Sequence, residues 1–117
     1  MRKVYAHEAI LELEPGGDER APGGAVTVAL CGSVDHPPPC PYAPHFTGVT
    51  EDGSRLRVRV LFATDDEAGA RAGVEAALRS ARYADPQGRT SRWSVLASSP
   101  AEVREDEREH GARLIAS

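Results

Sequence analysis

"AVTVALC", residues 25–31, decides how the chain is read. Taken with a period of two, Val26, Val28 and Leu30 face one way, and Ala25, Thr27, Ala29 and Cys31 face the other. β-branched residues in strict alternation predict a half-buried strand. Upstream, "EPGGDERAPGG" breaks regular structure with two Pro and four Gly, so residues 15–24 read as a flexible surface loop. Before it, residues 4–13 also alternate. Tyr5, His7, Ala9, Leu11 and Leu13 share one side, and Glu8, Ile10, Glu12 and Glu14 the other. Two consecutive strands of this kind are most simply an antiparallel pair.

Downstream, "CGSVDHPPPCPYAPHF" (31–46) holds both cysteines, two of the four histidines and five of the nine prolines of the chain. "TEDGS" then reads as a turn on its Asp52-Gly53 signal. "RLRVRVLFA" gives the clearest alternation. Leu56, Val58, Val60 and Phe62 point inward, and Arg55, Arg57 and Arg59 outward. "TDDE" opens a helix, with Thr64 and Glu67 fitting a capping box and Ala70, Val74, Ala77, Leu78 and Ala81 forming its apolar stripe. "DPQG" stops it, and "RWSVLAS" is a fourth strand. Ser99-Pro100 with Glu102 predicts the start of a second, mostly exposed helix. The fold expected is α+β in the order ββ, Cys/His/Pro-rich loop, βαβα. It is a mainly antiparallel four-stranded sheet with two helices packed on one face.

The length of 117 residues fits one domain over 1–117. Net charge is −4, and thirteen of the fourteen basic residues are Arg. An acidic balance argues against nonspecific nucleic-acid binding, which needs a field of Lys and Arg. "MRKVYAHEAILELEPGG" lacks the apolar run of a signal peptide, and no apolar stretch reaches membrane-spanning length. The expected compartment is the cytoplasm, where two cysteines are more often reduced thiols or ligands than a disulfide.

The loop 31–47 carries the chemistry. Its spacing is Cys31-x4-His36-x3-Cys40-x4-His45. Thiolate and imidazole are the donors tetrahedral zinc prefers, and two of each complete a structural set. Copper is accepted by the same donor types. Against this, the spacing contains no C-x2-C unit, and Pro41 removes a backbone N–H that could support the Cys40 sulfur. Two other readings stay open: a metal-free polyproline connection, and a redox or disulfide role for Cys31 and Cys40.

His7, among core-facing residues, is a further ligand or supporting partner, or else a satisfied core histidine. His110 reads as half-buried packing. Arg55, Arg57 and Arg59 could hold an anion, or pair across strands with Glu8, Glu12 and Glu14.

Three functions follow. One is a zinc-stabilised accessory or interaction module that docks on a protein partner, with Tyr42 and Phe46 as anchors. Another is a small metalloenzyme acting on a small molecule with an open coordination position. His7 would be its acid/base group, and its pocket would come most easily from a homodimer interface. The third is an anion- or RNA-binding domain using the arginine stripe.

Overall fold

The computed structural model describes residues 1–31 and 43–116. The elements are β1 (Lys3–Leu13), α1 (Ala21–Cys31), β2 (His45–Asp52), β3 (Arg55–Thr64), α2 (Glu67–Arg79), β4 (Arg82–Ala84), β5 (Thr90–Ala101) and α3 (Arg108–Ala116). A 3₁₀ turn, Glu105–Glu107, leads into α3. One five-stranded sheet runs in the order β2-β3-β1-β5-β4, with every paired neighbour antiparallel.

The alternation of β1 and β3 forms the centre of this sheet. Their register sets Tyr5 opposite Phe62, His7 opposite Val60 and Leu11 opposite Leu56. Val58, Val60 and Phe62 are fully buried against α1 and α2. Each such side chain contributes about 1.5–3 kcal/mol of burial. β3 lies between β1 and β2, and β1 lies between β3 and β5. The chain is thus two interleaved β-α-β units, the split arrangement of ferredoxin-like sheets, extended by β4.

The α+β class holds, but the details differ from the sequence expectation. "AVTVALC" is the end of a helix and not a strand. Its buried residues are Ala21, Pro22, Ala25, Val26 and Leu30, spaced as one face of a helix. Val26 is 0% and Leu30 1% exposed, whereas Val28 between them is 43% exposed, which no strand parity allows. Docking against α2 overrides the β-branched preference. Residues 15–24 are therefore not all loop: a turn precedes Ala21, and Pro22 sits in the first helical turn, where its missing N–H costs nothing. Gly24 lets α1 lie tight, since a Cβ there would come within 2.6 Å of the Tyr83 ring.

The second strand position belongs to "HFTGVTED", which pairs with β3 through the Asp52–Gly53 turn, Gly53 taking φ +64°. "DPQG" makes the β4–β5 hairpin, while α2 has already ended at Arg79. Asp66, not Thr64, caps α2 by accepting from the Gly69 N–H. Ser99-Pro100 stays in β5, which tolerates proline because β4 pairs only Thr90–Arg92 and leaves the remaining edge open.

The two predicted helices do not share a face. α2 packs with α1 on one side. α3 lies on the other, where Leu114 meets Ala6, Leu61 and Ala63. Arg59 secures that second layer. Its guanidinium donates to Glu107 and Glu8 at 2.7 Å each, and to the Glu102 carbonyl.

Candidate functional site

The reading of "APGGAVTVALC" as a helix brings two of the four proposed ligands together. Cys31 is the last residue of α1 and His45 the first of β2, and both are half-buried. His45 pairs with Phe62 across the sheet, so its ring lies on the face that carries α1. The Cys31 Sγ is 3.6 Å from His45 Nδ1. The Ala43 carbonyl oxygen joins them, 3.1 Å from Nδ1 and 3.9 Å from the sulfur. On the other edge of the ring, Nε2 is 2.9 Å from Thr27 Oγ1, and Thr27 donates to the Gly23 carbonyl at 3.0 Å. Cys31 is disulfide-bonded. His36 and Cys40, and with them the anchor Tyr42, lie outside the described residues. Among the described residues no three His, Cys, Asp or Glu side chains converge as a metal-holding group.

His7 is elsewhere. Its side chain is 1% exposed, and Val60 of β3 stands between it and Thr47 of β2 in the sheet register. Nε2 is 2.8 Å from Ser98 Oγ and 3.1 Å from Glu75 Oε1. The Ser98 hydroxyl donates to the same Glu75 oxygen. Arg71 lies 3.1 Å from His7 Nδ1 and also donates to the Ala6 carbonyl. A guanidinium offers only donors, so Nδ1 accepts and Nε2 carries the proton. This tautomer cannot take a proton from Ser98, so the Ser-His-Glu grouping is no nucleophilic triad. Burial first, then the charge of Arg71, holds the His7 pKa below its ordinary value, although Glu75 opposes this. The Ser98 hydrogen bond, joined by that of His7, lowers Glu75. His7 is a satisfied core histidine that ties β1 to α2 and β5.

The arginine stripe divides. Arg59 is 12% exposed and fixed between Glu8 and Glu107, whose carboxyl it holds down at about 2. Arg57 and Arg55 remain mostly exposed, with looser approaches to Glu8 at 3.7 Å and Glu12 at 3.9 Å. The acids named as their partners thus do face them. His110 meets exposed Phe46 with ring centroids 4.7 Å apart and the planes tilted by 55°, on the α3 side of the sheet.

Sequence reasoning missed Thr27 as a partner of His45 and missed the Arg71–Glu75–Ser98 set around His7. Nothing local signals the latter, since Glu75 and Ser98 are 68 and 91 positions from His7. No helix among the described residues is long and apolar enough to cross a membrane. The chain matches no protein-family model and no curated protein.

Proposed function

We propose that the chain is a small metal-binding module, most suited to zinc, that serves as an accessory or interaction domain. Cys31 and His45 are the donors held by the folded frame, and His36 and Cys40 complete the set from the sequence. The observation that carries this reading is the 3.6 Å between Cys31 Sγ and His45 Nδ1. Donors bound to zinc at about 2.3 Å (sulfur) and about 2.0–2.1 Å (nitrogen) in a tetrahedron stand about 3.5 Å apart. One donor closes α1 and the other opens β2, so the ion would link the helical layer to the edge of the sheet. Metal affinity would then add to the stability of that junction.

A disulfide sulfur is not the thiolate a metal needs, so the ion belongs to the reduced protein. This favours a second reading, a thiol–disulfide site at Cys31, in which the neighbouring imidazole would stabilise a thiolate leaving group. The metalloenzyme reading is weakened, because its only acid/base candidate, His7, is engaged by Glu75, Ser98 and Arg71. An interaction role draws support from exposed Phe46 beside His110, one residue along β2 from the metal donor.

The test is the metal content of protein purified under reducing conditions without an affinity metal, by inductively coupled plasma mass spectrometry. About one equivalent of zinc or copper, lost in Cys31→Ser and in His45→Ala, is expected. A metal-free wild type whose Cys31 exchanges rapidly with a small dithiol would transfer the site to the second reading.

A further inference from the structure

We infer that the outer edge of β2 is a dimerisation surface, on which a second copy of this chain adds its own β2, antiparallel, about a two-fold axis at Thr47. This does not depend on the metal reading. The argument begins with backbone direction. The Ala63 N–H donates to the Pro44 carbonyl at 2.8 Å, and the register sets His45 opposite Phe62. Pro44 is thus a bonded position facing β3. Bonded positions alternate along an antiparallel strand. Phe46, Gly48 and Thr50 therefore turn their backbone groups to β3, and His45, Thr47, Val49 and Glu51 turn theirs away. Among the described residues no strand takes up that outward row.

Sheets usually guard such rows with charge, proline, a bulge or a short edge strand. The opposite edge is guarded. β4 has three residues and carries Arg82. β5 beyond Arg92 is interrupted by a register shift and by Pro100. β2 is eight residues long, with no proline and no register shift, and its acids Glu51 and Asp52 stand only at its far end. It also leaves Phe46 48% exposed.

The strand suits its own copy. A continuous sheet keeps like faces together, so the outward residues pair with one another. With the axis at Thr47, His45 lies opposite Val49 of the second copy. Thr47 then lies opposite Thr47 of the second copy, a favourable cross-strand pair. On the other face Phe46 lies opposite Gly48 of the second copy, where no side chain obstructs the ring. The two Phe46 residues become diagonal neighbours about 7–8 Å apart, within reach for aromatic rings. Each ring already leans along its strand over Gly48, 3.6 Å from where a Cβ would stand. Glu51 and Asp52 of each copy run past the paired segment, which keeps acids apart in a chain of net charge −4. An axis at Glu51 would set them against each other. An isologous contact of this kind closes at two chains.

Sedimentation equilibrium on wild type, Val49→Pro, Phe46→Glu and Leu96→Glu tests this, with circular dichroism to confirm folding. The Val49 N–H faces away from β3, so proline removes an intermolecular donor and leaves the β2–β3 ladder whole. Phe46→Glu sets two carboxylates beside the axis. Leu96, exposed on β5, is the control. The wild type is expected to form a dimer in equilibrium with its monomer. Its dissociation constant should rise about 10-fold or more in Val49→Pro and in Phe46→Glu, and stay unchanged in Leu96→Glu. The wild-type Thr47 and Val49 amides should exchange with deuterium more slowly as concentration rises, a readout that needs no variant to fold. A wild type with the mass of one chain at every concentration overturns the inference. So does a dimer that keeps its affinity in Phe46→Glu, or one lost only in Leu96→Glu, or amides whose exchange is the same in monomer and dimer.

Discussion

His7 and His45 lie on the same face of one sheet, on strands separated only by β3, and their surroundings have opposite characters. Around His7 every polar atom has a complement: Arg71 at Nδ1, Glu75 and Ser98 at Nε2. Around His45 the partners come from the helix end and the start of β2 and include a sulfur. Thr27 serves Nε2, while Nδ1 meets a sulfur and a carbonyl oxygen. Burial alone would have ranked His7 as the functional histidine, because it is the more enclosed. The chemistry of the neighbours reverses that ranking, since only His45 lies beside a cysteine sulfur. A network of charged and hydroxyl partners pins the fold around His7, whereas the corner at His45 sets an imidazole beside a sulfur, the pairing on which the proposed function rests.

The contrast should be largest in stability. His7→Ala removes one partner each from Glu75, Ser98 and Arg71 and opens a buried cavity, and should cost about 2–4 kcal/mol in urea unfolding. His45→Ala, in reduced and metal-free protein, should cost less than about 1.5 kcal/mol. Equal losses would erase the distinction between a structural histidine and one that the fold does not depend on.

Next in size is Arg59→Met, which strands Glu107 and Glu8 on the opposite face of the sheet. A loss of about 2 kcal/mol at neutral pH is expected from equilibrium unfolding, discounted for the partial exposure of both acids. Its pH signature is distinct. The Glu107 carboxyl is held at about 2, below its ordinary 4.5, so its contribution is present above about 4.5 and is lost as pH falls toward about 2. Arg59→Met should flatten that window.

A third test uses the pH window of His7 itself. Its folded pKa lies below 6.5, so the unfolded chain binds the proton first and stability falls as pH drops below about 6.5. Protonation would also set an imidazolium against Arg71. The decline should vanish in His7→Gln and persist in His45→Gln. A decline carried by His45 instead would break the comparison.

The smallest effect is expected at the exposed arginines. Arg57→Ala should change stability by no more than about 0.5 kcal/mol, because its approach to Glu8 is long and its side chain is mostly exposed. A larger loss would mean that the outer face of β3 is more tightly knit than its exposure implies.

The alternation of β1 and β3 was legible because one face of each is almost wholly apolar, while the other carries charged residues over Glu8–Glu12 and Arg55–Arg59. The apolar stripe of α2 was legible for the same reason at helical spacing. α1 was not, because Val26, Val28 and Leu30 satisfy a two-residue period by coincidence. Only packing against α2 and the contact of Gly24 with Tyr83 select the helix. β2 was hidden under the Cys/His reading of its first residue. The side occupied by α3 was illegible, since Leu61 and Ala63 continue the outer row of β3 that begins with arginines.

For the site, sequence spacing nominated Cys31 and His45, and the fold brings them together. It did not find Thr27 as a partner of His45, because that depends on α1 lying against the start of β2. His7 was weighed as an extra ligand, and its true partners come from elements far along the chain.

The central claim is that Cys31 and His45 bind one ion, and cobalt(II) substitution tests it most directly. Reduced protein titrated with cobalt should develop the sulfur-to-cobalt charge-transfer absorption of a thiolate-bound tetrahedral ion, saturating near one equivalent. It should keep that absorption in Ser98→Ala and lose it in Cys31→Ser and His45→Ala. A titration without that band in the folded wild type, or one unchanged in His45→Ala, would contradict the account.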